Sequence, residues 1–195
     1  MAVTLVKGQK ISLEKTAGGA LASVRMGLGW DVARRGGLLG RISGGGPDSI
    51  DLDASCGMFD TGGVLVDLVW FAQLHSRDGS IRHTGDNLTG AGEGDDESII
   101  VDLERVPAQV RSLVFTVNSF RGQSFDTVEN AFCRLLDHRS GKEIARYDLG
   151  AQGPHTAMVM AKLYRHGGEW KMHAIGETAR GRTFQEILSA IEPHL

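Results

Sequence analysis

Short apolar stretches with a period of two, each cut off by glycine, constrain this chain more than any other feature of its sequence. Val24, Met26 and Leu28 alternate with Ser23, Arg25 and Gly27, and Ile50, Leu52 and Ala54 alternate with Asp51, Asp53 and Ser55. That period predicts strands with one buried face. Residues 64–71, apolar except for Asp67, and residues 98–103 and 113–117 are rich in β-branched and aromatic side chains, which predicts more deeply buried strands. Glycine fills 27 of 195 positions, against a usual share of about 7%. It is scattered between the apolar stretches, the punctuation expected of many short strands joined by tight turns.

Toward the C-terminus, residues 157–165 and 170–175 flank His166-Gly167-Gly168-Glu169. Paired glycines supply the positive φ of a two-residue hairpin turn. A second hairpin is predicted between residues 132–136 and 143–149, through Arg139-Ser140-Gly141-Lys142. About eight or more strands in all predict an all-β fold, a sandwich of two packed sheets with a few short helices. The clearest helix starts at Thr183, where Glu186 would close a capping box. Phe184, Ile187, Leu188 and Ile191 would then form one apolar stripe, with Pro193 ending the helix. A short turn is expected over residues 124–128, and residues 34–47 have loop composition.

The length of 195 residues suits one domain spanning residues 1–195. A net charge of −3 offers no basic field for phosphate backbones, so nucleic acid is not an expected partner. No apolar run approaches the roughly 20 residues of a membrane span, and the opening residues lack the order of a signal peptide. A cytoplasmic protein is expected. Cys56 and Cys133, far apart and each in apolar surroundings, read as two buried thiols.

Residues 85–97 run Gly-Asp-Asn-Leu-Thr-Gly-Ala-Gly-Glu-Gly-Asp-Asp-Glu, with five carboxylates, one side-chain amide and no basic residue in thirteen positions. Calcium takes six to eight oxygen ligands, which carboxylates, Asn side chains and main-chain carbonyls supply. An EF-hand loop does not fit. Leu88 stands where the third-position ligand belongs, Ala91 where glycine is required, and the residues after Glu97 read as a strand. An acidic loop is ordinarily solvated surface. Two features weigh against that here: Asp95, Asp96 and Glu97 are consecutive with no cation nearby in sequence, and strand alternation puts Asp51 and Asp53 on one face.

Gly27-Leu-Gly-Trp-Asp31, Ile50-Asp-Leu-Asp-Ala54, His83-Thr-Gly-Asp-Asn-Leu-Thr-Gly90 with Asp95-Asp-Glu97, and Asn130-Ala-Phe132 together resemble the TerD family of tellurite-resistance and stress proteins. The resemblance spans nearly the whole chain, from Leu5-Val-Lys-Gly8 to Gly168-Glu-Trp-Lys171, with residues 34–47 looking longer than the family pattern. It implies a non-catalytic β-sandwich that binds calcium, usually as two neighbouring ions, in bacterial tolerance of tellurite and other stresses. Carried over by position, the implied ligands are Asp51, Asp53, Asp86, Asn87, Asp95, Asp96 and Glu97, with Asp31 added. Glu93 and main-chain oxygens near Thr89, Gly90 and Gly92 are further candidates. Other stress-response proteins are the expected partners, and membrane association is expected only through one of them.

Competing signals are thin. The seven histidines form no HExxH pair, and His83 beside the loop reads as structural. The glycines of residues 90–94 lack the lysine of a phosphate loop. Trp30, Trp70 and Trp170 lie in apolar stretches and read as core. Two other functions use the same carboxylates: a metal-dependent hydrolase, which lacks a visible general acid or base, and a calcium-dependent membrane-surface module, for which only Arg82 is close in sequence.

Overall fold

The computed structural model describes residues 2–32, 52–85, 95–150 and 152–195. In chain order the strands are β1 (Val3–Leu5), β2 (Lys10–Ser12), β3 (Ser23–Val32), β4 (Leu52–Asp60), β5 (Leu65–Val69), β6 (Ile81–His83), β7 (Glu97–Asp102), β8 (Val110–Ser119), β9 (Val128–Asp137), β10 (Glu143–Asp148), β11 (Ala157–His166) and β12 (Glu169–Ala179). Among the described residues they form two six-stranded sheets. One runs β1-β10-β9-β3-β7-β6 and the other β2-β12-β11-β8-β4-β5. Every pairing is antiparallel except β1 with β10. The predicted sandwich is what the chain forms.

Alternation decides what fills it. Val24, Met26 and Leu28 of β3 and Leu52, Ala54, Cys56 and Met58 of β4 turn into one apolar core between the sheets. Leu113, Phe115 and Val117 of β8 join them, while Val114 points the other way, into a second cluster under the C-terminal turns. Cys56 and Cys133 are buried free thiols. Burial pushes the ionisation of both far up, Cys133 to about 12, so neither is a nucleophile at neutral pH.

Both hairpins form. Gly167 and Gly168 take φ of 63° and 81°, the left-handed pair that joins β11 to β12. Residues 64–71 differ from expectation. β5 is an edge strand whose start is exposed, at Val66 and the preceding Val64, while Leu68 and Val69 at its end are buried in the two clusters on opposite faces of the sheet. The C-terminal segment is also less regular than its spacing predicts. Its α-helical part covers only Leu188–Ile191, with 3-10 turns at Gln185–Ile187 and Glu192–His194. Thr183 Oγ1 accepts from Glu186 N at 3.4 Å, but Glu186 reaches back to Arg182 N instead of Thr183, and Pro193 lies inside the last turn. Phe184, Ile187 and Ile191 still bury their stripe on the outer face of the second sheet. A five-residue helix over Leu13–Ala17 lies outside the expected elements; Ser12 caps it and Gly18 ends it in the left-handed region. The expected turn near Ser124 is a 3-10 turn, Phe125–Thr127. No helix among the described residues is long and apolar enough to cross a membrane.

Candidate metal centre

Asp31, Asp53, Asp95, Asp96 and Glu97 belong to described segments, whereas Asp51, Asp86, Asn87, Glu93 and the main-chain positions near Thr89, Gly90 and Gly92 lie outside them, as do residues 34–47. The described segments meet at one end of the sandwich. Thr84 N and Oγ1 both donate to Ser98 O, at 2.9 and 3.1 Å, which closes the base of the acidic loop between β6 and β7. Asp96 N donates to Leu28 O at 2.8 Å, and Asp96 Oδ2 accepts from Trp30 N at 2.8 Å, so Asp96 is clamped onto the end of β3. Glu97 Oε2 accepts from Ala54 N at 2.6 Å. β5 pairs with β4 only from Cys56 onward, and Glu97 fills the edge that β5 leaves. One acidic run therefore ties the first sheet to the second.

The end of β3 is irregular. Its register with β9 shifts between Gly29 and Asp31, and Asn130 opposite takes φ of 50°, a left-handed conformation that asparagine tolerates better than most residues. A bulge at a strand end bends the strand and re-aims the residues beyond it, a common device beside functional sites.

Three carboxylates of the set are more committed than their sequence suggests. Asp53 is only 7% exposed, on the outer face of the second sheet, directly opposite the buried Asn118 of β8. The two line a small cleft with Trp70, Phe71, Phe120 and Arg182. Glu97 is 1% exposed, so both residues are buried: Asp53 on the strand face that alternation assigned to it, and Glu97 at the end of the acidic loop. Asp95 does have a cation. Arg134 of β9 donates from Nε to Asp95 Oδ1 at 2.6 Å and sits 3.4 Å from Glu143. The hydrogen bond it donates to Asp95 is the main cause that raises the proton affinity of this guanidinium. Gly27 makes the pair possible, since a Cβ there would overlap the Asp95 carboxylate.

His83 is buried beside the cluster. Its Nδ1 accepts from Gly85 N at 3.0 Å, which leaves the ring proton of a neutral imidazole on Nε2, 3.4 Å from Glu97 Oε2. Arg134 and Asn118 gave no signal in the sequence, because both reach the site from strands distant in the chain. Of the tryptophans, Trp30 is core and Trp70 and Trp170 are half-buried. Among the described residues, no three His, Cys, Asp or Glu side chains gather closely enough to hold an ion by themselves. The donors present are hard oxygens, which fit calcium better than a softer metal. A complete coordination sphere needs ligands beyond Asp53, Asp95, Asp96 and Glu97.

The sequence model of the TerD domain matches residues 1–190. The tellurium resistance protein TerZ of Serratia marcescens is 53% identical over 189 residues, spanning 97% of this chain and 96% of that protein. The stress response protein SCP2 of Bacillus subtilis (strain 168) is 42% identical over 197 residues, 97% of this chain and 98% of its own. A crystal structure of a homologue of telluride resistance protein (TerD) from Streptomyces coelicolor A3(2) superposes with a TM-score of 0.69 at 19% identity, covering 89% of this chain and 98% of that one. That likeness is one of fold.

Proposed function

The chain belongs to the TerD family of tellurium-resistance and stress-response proteins, and from that membership we propose that it is a non-catalytic, cytoplasmic calcium-binding protein acting as a single unit, whose ion-bound end recruits another stress-response protein. One observation carries the reading. The end of β3, the start of β4 and both ends of the acidic loop are hydrogen-bonded to one another, so the eight candidate ligands all lie on, or within two residues of, segments that converge, or on the loop that those segments close. Two ions are proposed because the candidate set holds more oxygens than one six- to eight-coordinate site uses. When bound, calcium would supply a fixed double charge that neutralises the cluster. Asp96 and Glu97 would hold it with orientations set by main-chain amides.

The cleft beside Asp53 supports the recruitment half of the reading. Phe120, 43% exposed, packs edge-on against Phe71 at 5.5 Å, and Phe71 against Trp70 at 4.6 Å. Apolar surface next to a charged ion site is the anatomy of a docking patch. A hydrolase is less well supported. Among the described residues the histidine beside the carboxylates, His83, has a fully buried side chain with Nδ1 occupied by Gly85, so it is poorly placed to take a proton from water.

Calorimetric titration with calcium, in the presence of magnesium, tests the proposal. About two calcium ions should bind with magnesium much weaker, because magnesium demands a compact octahedron. Equal affinity for both ions, or no heat at all, would overturn it.

A further inference from the structure

The outer face of the second sheet is covered by the C-terminal turns over only part of its area. Beyond them, register places three basic side chains in one row across three strands: Lys10 of β2 opposite His173 of β12, and His173 opposite Lys162 of β11. Two lysines thus flank a single imidazole on one face, with no acidic side chain between them in the row. His194 of the last turn closes the row from above, its ring centroid 6.2 Å from that of His173.

The neighbourhood does not neutralise it. Lys162 is 8% exposed, yet the partner of its ammonium is the main-chain carbonyl of His194, with the Tyr164 ring 4.9 Å away. Among the described residues no Asp or Glu side chain forms an ion pair with Lys10, Lys162 or Arg111. The acids nearby are engaged: Glu177 pairs with Lys7 at 3.2 Å, and Glu169 with Lys171 at 3.5 Å and Lys15 at 3.8 Å. Burying an ammonium group without a counter-charge is costly. The ammonium carries three donors, and a main-chain carbonyl takes one.

We propose that this face of β2, β12 and β11 is a binding site for a small, doubly charged oxyanion, held by the Lys10 and Lys162 ammonium groups with the His173 and His194 imidazoles beside them. The local field fits the assignment. His173 is pushed down to about 4, first by burial and then by Lys10, Lys162 and His194. His194 is pushed down by burial and by Lys162 and Lys7, against an opposing pull from Glu177. Lys162 is lowered by burial, Lys10 and Arg111. An anion seated among these groups reverses the charge balance and returns protons to both imidazoles. The site is at a different place from the acidic end and does not depend on the calcium proposal.

Sulfate stays dianionic across the acid range and is the probe of choice, with chloride at equal ionic strength as the control. Nitrogen-detected NMR titration of the full chain should show the His173 midpoint rising saturably by about one pH unit in sulfate. K10Q, at an exposed position, and H194N, on the last turn, should weaken the sulfate response about threefold each. K162M should abolish it, and the other two variants keep the test open if K162M does not fold. A sulfate effect no larger than that of chloride, or K10Q and H194N variants that respond like the parent, would overturn the proposal. So would a response to phosphatidylglycerol vesicles with none to free sulfate, which would make this face a membrane contact instead.

Discussion

Asp96 and Glu97 each accept a hydrogen bond from a main-chain amide, one from Trp30 and one from Ala54, and this dual role decides which substitutions are informative. Replacing Glu97 by alanine strands a buried amide, at a cost of about 1–3 kcal/mol, and mixes lost stability with lost charge. Glu97→Gln and Asp96→Asn keep an acceptor oxygen and remove only the charge. Each is expected to weaken calcium binding about tenfold or more, since ligand charge sets affinity in oxygen-donor sites. Their melting temperatures in chelator should stay within a few degrees of the parent, and calorimetry with thermal melts separates the two effects. Unchanged calcium affinity in both variants would remove these residues from the ligand set. Gly27 makes a second residue-scale test. A methyl group there overlaps the Asp95 carboxylate, so Gly27→Ala must displace Asp95 from Arg134 or bend β3. Overpacking of this kind costs typically about 1–3 kcal/mol, readable as a lower urea midpoint. A variant as stable as the parent would mean that Asp95 moves aside freely.

At the scale of elements, period-two alternation was readable in β3 and β4, because burial acts on side chains one at a time and leaves its trace in their order, whereas β7 and β8 were readable from their β-branched and aromatic residues. The helix over Leu13–Ala17 was not readable, being too short to show a period, although Ser12 and Gly18 mark its ends. The misjudged exposure of Asp53 has a similar cause. Alternation assigns it to the face away from the core, which is correct, but says nothing of the Trp70, Phe71 and Phe184 side chains that later segments lay over that face. For Asp95 the missing cation was invisible, because Arg134 lies 39 residues on and meets it only through strand pairing. Strand pairing also generates a pH dependence. His173 protonates near 6.5 in an ordinary setting and is pushed down to about 4 here, first by burial and then by Lys10, Lys162 and His194. Between those values the unfolded chain takes up a proton that the folded chain refuses, so stability rises with pH across that window and is lost as pH falls through it. Urea midpoints measured from about pH 7 to pH 4 should therefore decline, and less steeply in His173→Asn. Parallel curves for the two proteins would show that the row does not perturb His173.

For the whole molecule, the acidic end stores electrostatic work that an ion can release. Two carboxylates about 5 Å apart repel by roughly 3 kcal/mol at an effective dielectric near 20, and several such pairs become comparable with the roughly 5–15 kcal/mol that holds a domain folded. Arg134 offsets the charge of Asp95. Because Asp96 is hydrogen-bonded to β3 and Glu97 to β4, strain at this end is felt by both sheets. Calcium that binds the folded arrangement and not the unfolded chain stabilises by mass action, about 2.7 kcal/mol per site at a hundredfold excess over its dissociation constant. For a chain of this size each kcal/mol moves the melting temperature by roughly 2–4 °C. One site should then raise it by roughly 5–10 °C and two sites by about twice that, with the midpoint climbing as the logarithm of calcium concentration and magnesium nearly silent. Scanning calorimetry across a calcium series, with chelator as the zero point, reads both the size and the slope of the effect. A melting temperature indifferent to calcium would show that the acidic end is balanced without an ion, and the proposed centre would have to be given up.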